Sequence, residues 1–347
     1  MLTTLDYLPA GLLDRTAPQL HEILTGPTLI HLPGKHNPPL FVSVLLHGNE
    51  DTGWLAVRQL LQEQISTGLP RALSLLIGNV AAARYGRRHL DEQPDYNRIW
   101  LKGSRPEHGM AAAVIEQMRQ RGVFASLDIH NNTGLNPHYA CLNRLDPPFL
   151  QLATLFGSIV LYFTRPAGTQ SAAFGEFCPA VVLECGKPDQ PHGVSHAWQY
   201  LQDCLRLSHI PDRPVAPQDL NLFHTVATVR VPDSIRFDFA DPDPAQPKAM
   251  DPTCHVLFPP HLDHLNFQEL SAQTVIAHLG HPTVKLPLQV IDETGEEVGE
   301  RYFQIVNNQI VTRTPVMPSM LTLNATIIQQ DCLCYLMERY SPPSLSA

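Results

Sequence analysis

The chain has 347 residues, 44% of them hydrophobic, enough to bury the core of one large domain and a smaller second one. Its formal net charge of -9 and the lack of any Lys/Arg stripe exclude an electrostatic fit to nucleic acid. No stretch approaches the roughly 18 apolar residues of a membrane span, and Met1-Leu2-Thr3-Thr4-Leu5-Asp6 lacks the basic and apolar regions of a secretion signal, so the expectation is a cytoplasmic protein with no membrane partner.

Up to about residue 210, short apolar or β-branched runs alternate with helical patterns, as in a mostly parallel mixed sheet flanked by helices. The expected strands are Thr28 to His31, Phe41 to Leu46, Leu73 to Ile77, Ser126 to Ile129, Ile159 to Tyr162 and Ala180 to Leu183. Trp54, Val57, Leu60 and Leu61 fall at helical spacing after Asp51-Thr52, as do Val194, Ala197, Trp198, Leu201 and Leu205 further on, and both sets are read as core faces. Ile210 to Pro217 carries three prolines and cannot sustain a helix, which sets the expected boundary between domains 1–212 and 213–347. Beyond it, Thr225 to Val231, Ser234 to Phe239, Leu286 to Ile291, Tyr302 to Val306 and Met320 to Ile328 are strand-like, with turn signals such as Asp292-Glu293-Thr294-Gly295. The second domain is therefore expected to be smaller and β-rich, followed by a polar tail from Ser341 to Ala347.

Cys141, Cys178, Cys185, Cys204, Cys254, Cys332 and Cys334 are scattered and form no C-x-x-C pair, so they read as free thiols. Any metal must be held by His and carboxylates. The strand Val42-Ser43-Val44-Leu45-Leu46 runs into His47-Gly48-Asn49-Glu50, delivering an imidazole and a carboxylate into the turn before a helix. Strand ends of open α/β sheets are where binding crevices form.

With 17 histidines, chance alone produces roughly one H-x-x-E pair. A second copy, His89-Leu90-Asp91-Glu92, follows no strand. What distinguishes the first is a matching third donor: Ser126-Leu127-Asp128-Ile129 brings His130 to another strand end. Two His and one carboxylate leave a tetrahedral metal one open position, as catalytic zinc sites do.

A further strand, Ala180-Val181-Val182-Leu183, ends in Glu184-Cys185-Gly186 and offers a carboxylate as general base toward water at the metal. Arg88, Asn97 and Arg98 lie in the loop-like segment from Arg87 to Trp100, where guanidinium groups can hold a carboxylate or stabilise an oxyanion. Asp128 either orients the free nitrogen of a liganding imidazole or only finishes its strand. The H-x-x-H pairs His261/His264 and His278/His281 lack a helical pattern with a nearby Glu and are read as solvated or core histidines.

Together, His47-Gly48-Asn49-Glu50, Arg88, Asn97-Arg98, Asp128-Ile129-His130-Asn131 and Glu184 resemble the zinc carboxypeptidase superfamily, in particular its succinylglutamate desuccinylase and aspartoacylase branch. The resemblance implies a carboxypeptidase-like α/β fold with a β-rich C-terminal domain covering the active site. It also implies one Zn²⁺ per subunit on His47, Glu50 and His130, with Glu184 as catalytic base and Arg88 polarising the scissile carbonyl. Asn97 and Arg98 would grip a substrate carboxylate. Leu183-Glu184-Cys185-Gly186 fits the family's hydrophobic-E-x-G pattern, and Leu321 to Ala325 resembles its last strand.

The implied activity is hydrolysis of an amide bond in an N-acyl amino acid or similar small carboxylate-bearing molecule. A metallocarboxypeptidase acting on a peptide or γ-glutamyl C-terminus and a non-catalytic metal-binding regulatory protein are the alternatives. The number of subunits is open, homo-oligomers included, as is the choice between Arg87 and Arg88. Aspartoacylase specificity is not carried over: Ala172-Ala173-Phe174-Gly175 stands where that branch has an acyl-binding Arg, and its partner Tyr is missing around Asn307-Asn308-Gln309-Ile310.

Overall fold

The computed structural model describes residues 1–64, 66–241 and 251–340, so the polar tail from Ser341 to Ala347 lies outside the described residues. The chain forms two compact units, the first of residues 1–132 and 138–222, the second of residues 133–137 and 223–340. Among the described residues no helix is long and apolar enough to cross a membrane.

The first unit carries strands β1 (Thr3–Leu5), β2 (Thr28–Leu32), β3 (Gly34–Val44), β4 (Leu69–Ile77), β5 (Ala125–His130), β6 (Tyr139–Leu142), β7 (Ile159–Tyr162) and β8 (Ala180–Glu184). They lie side by side in the order β1-β2-β4-β3-β5-β8-β6-β7. The centre, β4-β3-β5-β8, is parallel throughout, while β2 meets β4 and β6 meets β8 antiparallel. Buried on both faces, the central strands read as unbroken apolar runs: Leu40, Phe41, Val42 and Val44 of β3 are fully buried, as are Leu73, Leu75, Leu76 and Ile77 of β4 to within 1%.

Helices α1 (Thr52–Gln64), α2 (Val80–Ala83), α3 (Pro106–Arg121), α4 (Pro147–Phe156), α5 (Gln170–Phe174) and α6 (Pro191–Arg206) complete this unit. In α1, Trp54, Val57, Leu60 and Leu61 form the buried stripe that the helical spacing predicts. In α6 the stripe runs through Ala197, Leu201 and Leu205 and adds Tyr200 and Cys204. Trp198 sits at its edge, half-buried, with its indole N–H donated to Glu63 of α1 at 3.1 Å. Strands β1 and β6 are not among the expected strands.

In the second unit, β9 (Asn221–Arg230) pairs antiparallel with β13 (Gln289–Asp292) and with β17 (Cys334–Arg339), which in turn pairs with β16 (Met317–Ser319). A separate sheet runs β10 (Phe237–Phe239), β11 (Val256–Phe258), β12 (Val275–Leu279), β15 (Gln309–Thr312), β14 (Phe303–Val306). Val229, Val256, Phe258, Leu262, Ala277, Val290 and Ile310 form the core of the second unit. Short helices α7 (Gly299–Tyr302) and α8 (Ala325–Gln330) complete it.

Three expectations for this unit are corrected. Met320 to Ile328 is not a strand, and Leu321 to Ala325 is not the last one: the Asn324 side chain accepts the Ile327 N–H at 3.3 Å and starts helix α8, so the last strand among the described residues is β17. The run from Ser234 to Phe239 is extended only over β10, because Ile235 N–H closes a turn on Pro232. The run from Leu286 to Ile291 pairs only from Gln289 on, after Pro287, which has no N–H to give a ladder.

Candidate active site

Three adjacent parallel strands aim their C-terminal ends at one place. In the ladder, Val44 of β3 faces Ile129 of β5, and His130 of β5 faces Glu184 of β8, so both strands end on a chemical residue at the same level. After β3 the chain bends through Leu45, a non-glycine held at φ 57°, and reaches His47-Gly48-Asn49-Glu50. Gly48 is required by contact rather than by turn geometry: a Cβ there would lie 2.3 Å from the Ala83 backbone nitrogen. That close approach lets Gly48 N–H donate to the Arg88 carbonyl at 3.1 Å, tying the metal-ligand turn to the arginine segment.

His47 Nδ1 lies 2.9 Å from one Glu50 carboxylate oxygen and His130 Nδ1 lies 2.7 Å from the other. One ligand atom from each of the three side chains falls within 4.8 Å of the others, and all three residues are about 95% buried. The opposite ring nitrogens are held by carboxylates, His47 Nε2 against Asp95 at 3.0 Å and His130 Nε2 against Asp128 at 2.9 Å. Carboxylates behind both rings fix the tautomer that leaves Nδ1 as the donor atom, which is how liganding imidazoles are oriented. Asp128 is in turn fixed by the Ser43 hydroxyl at 2.7 Å. Two nitrogens and a carboxylate fit a zinc-type cation with one position left open.

Charge follows the same layout. Burial works against ionising Glu50, but the two imidazoles hold its carboxyl well below the usual carboxylate range. Burial likewise disfavours a charged His130, yet Asp128 and Glu50 outweigh it and raise its pKa well above the ordinary value. His47 is raised by Glu50 and Asp95 against burial and the Arg88 charge. Metal-free, the imidazoles thus hold protons that a dication must displace, so metal affinity falls as pH falls.

Glu184 is different. It is 6% exposed, and burial pushes its carboxyl up to about 7, opposed by the His130 charge and assisted by Glu50. The Asn132 side chain donates to its Oε2 at 3.2 Å. A carboxyl that exchanges its proton near neutrality is suited to general acid–base work.

Arg88 is 9% exposed, donates to Asp95 from Nε at 3.2 Å and from Nη2 at 2.8 Å, and places Nη1 3.8 Å from Glu50. Arg87 is exposed and pairs with Asp91, so the geometry puts Arg88 and not Arg87 beside the ligand set. Asn97 is buried, with Nδ2 3.3 Å from His130 Nε2 and Oδ1 accepting the Gln170 N–H at 2.9 Å. Arg98 is half-buried and donates to the Asn97 carbonyl at 2.9 Å.

Three residues of this cluster were not singled out as functional from sequence. Asp95 bridges His47, Arg88 and the Asn97 backbone N–H, and its only sequence signal is a carboxylate two residues before Asn97-Arg98. Asn131 donates its backbone N–H to Glu50 and its side chain to Thr52 and the Gly186 carbonyl. Asn132 holds Glu184. Asn131 closes the Asp128-Ile129-His130-Asn131 motif without a role assigned to it there, and nothing in sequence separates Asn132 from an ordinary turn residue.

No family model matches the chain, and no curated protein matches it in sequence. Solved structures do match. A succinylglutamate desuccinylase from Vibrio parahaemolyticus aligns with a TM-score of 0.58 at 13% identity over 90% of this chain and 86% of that one. A succinylglutamate desuccinylase/aspartoacylase from Rhodobacter sphaeroides gives 0.56 at 13% identity over 89% and 88%. A mutant murine aminoacylase 3 gives 0.51 at 19% identity over 88% and 96%. The chain therefore shares the fold of the desuccinylase/aspartoacylase structures along nearly its whole length.

Proposed function

We propose that the protein is a zinc-dependent amidohydrolase, with one zinc per subunit, that cleaves the amide bond of an N-acyl amino acid or a similar small carboxylate-bearing substrate. The observation that carries this is the convergence of His47 Nδ1, His130 Nδ1 and Glu50 at the strand ends, with Glu184 opposite His130 in the ladder. The fold shared with a succinylglutamate desuccinylase and with an aminoacylase supports the same substrate class.

A divalent cation on the three ligands would supply Lewis acidity to the scissile carbonyl and to water. The chain's own groups do the rest. Glu184 takes a proton from the attacking water and gives it to the departing nitrogen. Arg88, fixed by Asp95, stabilises negative charge on the carbonyl oxygen, and Arg98 with Asn97 binds the substrate carboxylate. Asp95 and Asp128 keep the imidazoles in their donor orientation.

The test is a panel of N-acyl amino acids, dipeptides and longer peptides offered to the zinc-loaded protein. Turnover of the acyl amino acids is expected, with none of longer peptides. Cleavage of C-terminal residues from peptides alone would make it a carboxypeptidase, and no turnover of any amide would make it a binding protein.

A further inference from the structure

Among the described residues, one polar atom beside Glu184 has no partner. Asn132 is 4% exposed; its Nδ2 donates to Glu184 Oε2 at 3.2 Å and its backbone N–H to the Gly186 carbonyl at 3.1 Å, while Oδ1 is closed off from solvent with no hydrogen bond. With Glu184 ionised, as it must be to take a proton from water, the amide cannot be turned over to relieve this, since Oδ1 would then face an acceptor carboxylate. A buried carbonyl oxygen without a donor is costly, and such atoms in native proteins call for an explanation. Because Oδ1 and Nδ2 share one carbon, Oδ1 lies within an amide's width of Glu184. Whatever donor satisfies it must arrive next to the proton-transfer group.

Under the amidohydrolase proposal above, on which this step rests, one N–H comes to Glu184 in every turnover: that of the scissile amide. We infer that Asn132 Oδ1 accepts this N–H and makes the site selective for secondary amides over esters and N-alkylated amides. In the balanced reaction, water adds to the carbonyl carbon and loses a proton to Glu184; the C–N bond then breaks as nitrogen takes that proton, releasing acid and amine. With its N–H turned to Asn132, the nitrogen presents its developing lone pair to Glu184. An ester sets an oxygen against Oδ1 instead, leaving a buried acceptor unpaired, the situation in which sites reject an analogue lacking the donor most strongly.

The experiment compares kcat/KM of the zinc-loaded wild type and Asn132→Leu on three substrates with identical acyl and carboxylate ends: the amide, its ester and its N-methyl amide. Loss of the Nδ2 donor to Glu184 acts on amide and ester alike and cancels in their ratio. The amide-to-ester ratio is expected to fall at least about 10-fold in Asn132→Leu, with zinc content unchanged. Equal losses on amide and ester would overturn the inference while leaving the amidohydrolase intact, and would make Asn132 a holder of Glu184 only. Should Asn132→Leu not fold, the wild type alone decides: the N-methyl amide is expected to be cleaved at least about 100-fold more slowly than the amide, and equal rates overturn the inference. A wild type that cleaves no amide overturns the amidohydrolase proposal and this inference with it.

Discussion

Replacing Glu184 by glutamine should make the metal-free protein more stable at high pH while sharply reducing turnover. Burial pushes the Glu184 carboxyl from its ordinary 4.5 up to about 7. A group raised in this way adds stability that is full below the unfolded value and is lost as pH rises through the folded one, here between about 4.5 and 7. The rise corresponds to roughly 3 kcal/mol. Glutamine keeps the shape and never ionises. In urea unfolding of metal-stripped protein, the wild type should lose about that much relative to Glu184→Gln between pH 5 and pH 9. With zinc restored the difference should shrink, because a nearby dication favours the carboxylate. A wild-type-to-variant difference that stays constant from pH 5 to pH 9 would refute burial as the cause and remove the basis for Glu184 as a proton carrier near neutrality. Turnover in the variant should fall by about 10²–10⁴.

Asp95→Asn weakens the support behind His47 and removes the carboxylate that pairs with Arg88; zinc affinity, measured by chelator competition, should fall about 10–100-fold. Arg98→Ala should raise KM by about 10-fold or more for carboxylate-bearing substrates with a smaller change in kcat, read from steady-state kinetics. Gly168 sits at φ 81° and a Cβ there would lie 2.6 Å from the Arg98 carbonyl oxygen, so Gly168→Ala should cost roughly 1–3 kcal/mol in denaturant unfolding and raise KM by displacing Arg98.

The central sheet was legible because β3, β4, β5 and β8 are buried on both faces and so read as continuous apolar runs in sequence. The same property showed where His47, Glu50, His130 and Glu184 lie, each just after such a run. What makes them a site was less legible. Asp95 comes from a loop with no hydrophobic period, and only the folded chain brings it to His47, 48 residues away in sequence. Arg87 and Arg88 are indistinguishable as letters; Arg88 is selected because Gly48 N–H grips its carbonyl and Asp95 its guanidinium. In the second unit short strands gave way to local chemistry: a capping Asn324 outweighed the apolar residues from Met320 to Ile328.

If His47, Glu50 and His130 hold the one metal on which hydrolysis depends, activity follows zinc loading. Metal-stripped protein is titrated with zinc while release of free amino acid from an N-acyl amino acid is followed. Activity should rise linearly, break at one equivalent per chain, and be absent at every zinc level in a folded His130→Ala variant. Hydrolysis that is independent of zinc, or that survives in His130→Ala, would contradict it.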